Sequence, residues 1–110
     1  MGLNRFQFVG NLTRDPELHH SAGGKAVVAL QLANDQFWFS GDGQKHREAH
    51  FFRIKAFNEP AENHARFLGK GSKVYVEGRI ENTAYEQDGA TVYGIDFIAD
   101  HVEYLDAKKD

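Results

Sequence analysis

Apolar side chains recur at every second position along most of this chain, the spacing of strands with one buried face. Arg5-Phe6-Gln7-Phe8-Val9 predicts a first strand, ended by Gly10-Asn11 and by Arg14-Asp15-Pro16. Ala22-Gly23-Gly24-Lys25 predicts a tight hairpin, because glycine supplies the positive φ that such turns need. A second strand follows from Ala26 to about Asn34, with Val28, Leu30 and Leu32 on one face. Phe39 to Gln44 reads as a polar loop, and a third strand covers about Ala49–Phe57. The one predicted helix runs from about Glu59 to Leu68, with Asn58 as its cap, Pro60 in its first turn and Gly69 at its stop. Val74, Val76 and Ile80 mark a fourth strand over Ser72–Ile80, Gln87–Ala90 a hairpin tip, and Thr91–Leu105 a fifth, bent strand.

Five strands with a short helix between the third and fourth is the element order of an OB-fold, an all-β, partly open five-stranded Greek-key barrel. An immunoglobulin-like sandwich needs about seven strands and rarely holds an internal helix. The expected domain is 1–105, followed by a short polar tail, 106–110.

Composition narrows the setting. The chain has 110 residues, 41% of them hydrophobic, which suits one folded domain. It contains no cysteine, which removes disulfides, thiolate metal sites and cysteine nucleophiles and fits a reducing cytoplasm. No signal peptide or membrane-length apolar run is visible. A formal charge of −3 is not that of a typical phosphate binder. Its distribution changes the picture: residues 1–57 hold seven Lys/Arg against five Asp/Glu, whereas residues 58–110 hold six against eleven. Lys45, Arg47, Arg53 and Lys55 cluster around a single acid, Glu48.

The informative stretch is Phe51-Phe52-Arg53-Ile54-Lys55-Ala56-Phe57. Alternation puts Phe52, Ile54 and Ala56 on one face, a sensible buried set, and Phe51, Arg53, Lys55 and Phe57 on the other. Two cations argue against burial of that second face, yet its two rings would be poorly hydrated in water. Single-stranded nucleic acid satisfies both, since bases stack on rings and phosphates meet cations. The plainer alternative is that Phe51 and Phe57 pack under a loop or a neighbouring subunit. Phe37-Trp38-Phe39 beside the polar loop and Tyr85 near the second hairpin tip place further aromatics where an OB-fold's binding face is flanked.

Asn4 to Leu18, with Val9-Gly10-Asn11-Leu12 and Asp15-Pro16-Glu17, resembles the opening of bacterial single-stranded-DNA-binding proteins. Leu32-Ala33 before Trp38, the Phe51–Phe57 strand and Gly69-Lys70-Gly71-Ser72-Lys73-Val74-Tyr75-Val76-Glu77-Gly78 extend the resemblance over about residues 3–105. It implies an OB-fold that binds single-stranded DNA in replication, recombination or repair, usually as a homotetramer. The family's base-stacking positions fall on Trp38, Phe51, Phe57 and Tyr85, and its phosphate contacts on Arg53 and Lys70. Lys55 and Arg14 are added here as further phosphate contacts. The family's basic run is replaced by Glu81, Asn82, Thr83 and Ala84, which predicts fewer phosphate contacts and a shallower salt dependence. The family usually ends in a flexible linker and an acidic tip that recruits other replication proteins. This sequence stops at Asp106-Ala107-Lys108-Lys109-Asp110 without one, as a bare binding domain or a trimmed chain would.

Other chemistry is set aside. Gly69-Lys70-Gly71-Ser72 lacks the spacing and the strand-to-helix context of a Walker loop. The six histidines (19, 20, 46, 50, 64 and 101) show no metal-ligand pairing, and no nucleophile elbow or carboxylate pair is present, so neither cofactor, metal nor catalysis is expected. The first strand presents an edge that needs a partner, and in the family it pairs with its symmetry mate. The row Lys73, Tyr75, Glu77, Arg79 is a second candidate contact between copies. Two other readings use the same surface: an OB-fold protein-interaction or primosome-type scaffold, and an RNA binder that senses the 2′-hydroxyl.

Overall fold

The computed structural model describes residues 2–106, with the side chain of Glu59 excepted. The order is β1 (Phe6–Leu12), β2 (Glu17–His20), β3 (Ala26–Phe39), β4 (Lys45–Phe57), α1 (Asn58–Phe67), β5 (Lys73–Gln87) and β6 (Ala90–Tyr104). The strands lie in the order β1-β5-β6-β4-β3-β2, and β1 returns to pair with β3 at Asn11–Ala33 and Leu12–Leu32. That last pairing closes five strands into a barrel and leaves β2 as a flap on the edge of β3. This is the expected OB-fold. Because β2 is a strand in its own right, the helix falls between β4 and β5 of six, which is between the third and fourth strands of the barrel.

The inward face follows the period of two. Val28, Leu30, Leu32, Ile54, Val74 and Val76 are fully buried, each stabilising the fold by roughly 1.5–3 kcal/mol. Phe6, Phe8, Phe52 and Phe97 form an aromatic cluster beside them, with Phe8 stacked on Phe52 at 4.2 Å between ring centroids. Two glycines let backbones meet closely. A Cβ at Gly10 would strike the carbonyl of Ala33, where β1 crosses to β3, and one at Gly78 would strike the carbonyl of Ile98.

Several boundaries differ from expectation. β3 and β4 continue past Asn34 and before Ala49 as one long hairpin, and β5 continues to Gln87. Both arms are exposed on both faces, so cross-strand hydrogen bonding defines them where burial leaves no pattern. β2 is four residues long and mostly exposed, which hides it for the same reason. Asn58 is not a cap. The helix starts at Asn58 itself, with Phe57 as its N-cap residue, no side-chain capping bond, and Asn58 at φ +66°. Asparagine tolerates that left-handed conformation better than most residues. Of the expected tail, Asp106 is described, and its carboxylate accepts from the Lys73 backbone N–H at 3.1 Å; residues 107–110 lie outside the described residues. Among the described residues no helix is long and apolar enough to cross a membrane.

Candidate nucleic-acid interface

The β3–β4 hairpin sets the geometry of the site. Its register pairs Val27 with Phe57, Ala29 with Lys55, Gln31 with Arg53, Ala33 with Phe51, Asp35 with Ala49, Phe37 with Arg47 and Phe39 with Lys45. Directly paired residues share a face, and so do alternate residues along each strand. Four phenylalanines (37, 39, 51 and 57) and four cations (Lys45, Arg47, Arg53 and Lys55) therefore occupy one outer face. Phe51 is 60% exposed and Phe37 54%, so neither is sealed inside the barrel. Phe57 is half-buried at the barrel end of the row. At the tip, the Lys45 ammonium lies over the Phe37 ring, 4.6 Å from its centroid.

Half of this face, Phe37, Phe39, Lys45 and Arg47, lies outside the eight site residues expected from the sequence. The signal was present. A hairpin turning about Asp42 pairs odd-numbered positions with odd, which carries the Phe51–Phe57 alternation out to the tip.

Trp38 belongs to the opposite face by register. It pairs with His46, on the side that carries Leu32 and Phe52 deeper in the barrel, and its indole is stacked on the His46 imidazole at 5.4 Å. Beyond the barrel that side is also open, and Trp38 is 46% exposed. Tyr85 stands on the β5–β6 hairpin opposite Val92, in the same outward series as Arg79 and Glu81. β4 and β6 run parallel where they touch, at Ile54–Phe97 and Lys55–Ile98. Both hairpin arms consequently leave the barrel from the same end.

Carboxylates are woven into the outer face. Arg47 is bonded to Asp35 at 2.9 Å, Lys55 to Asp96 at 2.9 Å, and Arg14 to Glu17 at 3.5 Å. Hydrogen bonding from His19 and then from Arg14 holds the Glu17 carboxyl below its ordinary pKa. Among the described residues Arg53 and Lys70 make no ion pair. Lys70 is positioned at the barrel end, where its backbone N–H donates to Asp15 at 2.7 Å, next to Arg14. The eight expected residues thus fall into three places: Phe51, Arg53, Lys55 and Phe57 along the outer face of β4, Arg14 and Lys70 at the barrel end, and Trp38 and Tyr85 on the two arms. Among the described residues no group of His, Asp or Glu is arranged to hold a metal ion.

Comparison with known proteins agrees with this geometry. The model of the single-strand binding protein family matches residues 3–105. Single-stranded DNA-binding protein 3 of Listeria innocua is 39% identical over 109 residues, covering 98% of this chain and 67% of the relative. The single-stranded DNA-binding protein of Oceanobacillus iheyensis is 42% identical over 107 residues, covering 96% and 65%. The chain thus spans about two thirds of these relatives. The crystal structure of the wild-type single-stranded DNA binding protein from Thermus aquaticus superposes with a TM-score of 0.83 at 30% identity, covering 96% of this chain and 51% of that one. A Plasmodium falciparum SSB complex with ssDNA gives the same TM-score at 21% identity, a likeness of fold.

Proposed function

The chain belongs to the single-strand binding protein family, and on that premise we propose that it binds single-stranded DNA without regard to sequence, protecting it in replication, recombination or repair. The observation that carries this reading is the outer face of the β3–β4 hairpin, where four rings and four cations interleave in cross-strand register. Each base supplies a π-face for a ring and each linkage a phosphate for a cation, so such a face takes any sequence. The strand runs from Phe57 past Phe51 towards Phe37, with Arg53 and Lys55 on its phosphates, and Arg14 and Lys70 meet it at the barrel end. Rings on both faces of the arms, Phe37 against Trp38 and Tyr85 against Tyr93, suit a strand that wraps around an arm. No chemical step is part of this function.

The assembly is a homo-oligomer built on β1. Among the described residues that strand pairs with β5 alone between Phe6 and Phe8; beyond them the Val9 carbonyl accepts from the Asn34 side-chain amide at 2.8 Å, and Asn11 and Leu12 pair with β3. The open edge suits a second copy of β1. The Lys73–Arg79 row is less available, since Glu77 is bonded to Arg5, Tyr75 to Gln7, and Arg79 to Glu81 and Asp100.

Fluorescence anisotropy with labelled oligo-dT, oligo-U and duplex DNA tests the function. Tight, salt-weakened binding of oligo-dT over duplex and oligo-U is expected. No binding at micromolar protein would favour a protein-interaction scaffold, and preference for oligo-U an RNA binder.

A further inference from the structure

β4 and β6 part after two residue pairs. β4 turns into α1, while β6 bulges at Asp100, which has no partner between the pairs Glu77–His101 and Gly78–Ala99. The splay leaves a cleft of about 350 Å³, lined by Phe57, Pro60 and His64 on the helix side and by Arg79, Ile98 and Val102 on the sheet side. It opens beside Phe57, at the barrel end of the ring-bearing face.

His64 is the polar group of interest in it. The residue is 7% exposed. Its Nδ1 is bonded to the Tyr104 hydroxyl at 2.7 Å, and its Nε2, without a partner among the described residues, keeps access to solvent. A ring nitrogen that reaches solvent on a residue lining the cleft can meet the donor or acceptor of a ligand there. The charge at the rim selects the kind of ligand. Arg79 is tied to both Glu81 and Asp100, so one cation stands against two carboxylates and a phosphate is disfavoured. A flat, neutral, largely apolar group is not. The volume lies at the low end of small-molecule sites.

We propose that the cleft takes one nucleobase of the bound strand, turned out of the stack past Phe57 and hydrogen-bonded to His64 Nε2. This rests on the single-stranded-DNA reading above. Turning out a base costs least in a strand that is already single. The imidazole tolerates any base. With Tyr104 able to donate to Nδ1 or accept from it, Nε2 can be the donor or the acceptor. The phosphates remain on Arg53 and Lys55, outside the acidic rim.

Methyl and aromatic NMR during an oligo-dT titration tests the inference. Ring-current shifts are expected at the Ile98 methyls and the His64 ring together with Phe57, with buried Ile54 as the internal control. In parallel, His64→Phe removes Nε2 and the Tyr104 bond, whereas Tyr104→Phe removes that bond alone. His64→Phe should weaken binding roughly fivefold, about the worth of one hydrogen bond, and Tyr104→Phe by less than about twofold. Shifts at Phe57 with Ile98 and His64 unmoved would overturn the cleft and keep the outer face. Absence of binding in the unsubstituted protein would overturn the outer face, and the cleft with it. Should His64→Phe fail to fold, the shifts alone decide.

Discussion

Lys55 Nζ lies 2.9 Å from Asp96 Oδ2, an ion pair that bridges β4 to β6 in the middle of the ring-bearing face. A phosphate that reaches Lys55 must therefore displace a carboxylate, and the partial exposure of both side chains keeps the contest even. Asp96→Asn removes the competitor while preserving shape. Oligo-dT affinity should rise roughly two- to fivefold at low salt, because Lys55 then meets its phosphate without breaking an ion pair. Anisotropy titrations measure it; an unchanged affinity would remove Lys55 from the phosphate contacts.

The register of the β3–β4 hairpin makes a graded prediction about its rings. Phe51→Ala and Phe37→Ala each delete an outer-face ring and should cost roughly 1–3 kcal/mol of binding, the usual worth of one stacked base. Trp38 reports separately, because it is the only tryptophan in the sequence and lies on the reverse face. Oligomers too short to round the arm should bind without quenching its fluorescence, and longer ones should quench it. Full quenching by the shortest binding oligomer would mean that the strand crosses the Trp38 face first.

The barrel was legible in the sequence because burial on one face writes itself as alternation: Val28-Leu30-Leu32, Phe52-Ile54-Ala56 and Val74-Val76 all point inward as expected. The split of Phe51, Arg53, Lys55 and Phe57 from that set was legible on the same ground. The arms were not, since Gln36, Glu48, Asn82 and Glu86 are exposed whichever way they point and leave no hydrophobic period to read. Trp38 joins Phe51 in the sequence as a base-stacking position implied by the family resemblance and as an aromatic beside the polar loop; only the cross-strand register separates their faces. The pairing of Lys55 with Asp96 joins residues 41 apart in sequence, and nothing local announces it.

Close backbone approach at Gly78 makes that position intolerant. It is buried in β5 at the bulge, and a methyl group there would collide with the carbonyl of Ile98 on β6, backbone that cannot swing aside as a side chain could. Gly78→Ala should destabilise the protein by about 1–3 kcal/mol, read by urea denaturation. Gly41→Ala, on a loop with open space around it, is the matched control and should change stability by less than about 0.5 kcal/mol.

His64 links the helix to the end of β6, and its environment gives stability a pH dependence of defined sign. Burial lowers its pKa from the ordinary 6.5, so the folded protein resists a proton that the unfolded chain accepts. Above pH 6.5 both states are neutral at this residue and nothing is lost. As pH falls below 6.5, the unfolded chain takes up the proton first and stability declines. The groups around His64 do not reverse the sign: Tyr104 is a neutral hydroxyl there, Arg79 is a cation, and Asp100 is already engaged with Arg79. The melting temperature should fall by a few degrees between pH 7.5 and 5.5, above the range in which the carboxylates titrate. His64→Gln keeps a polar side chain but cannot titrate, and its melting curve should be nearly flat over that interval. An equally steep decline in the variant would remove His64 as the source of the effect.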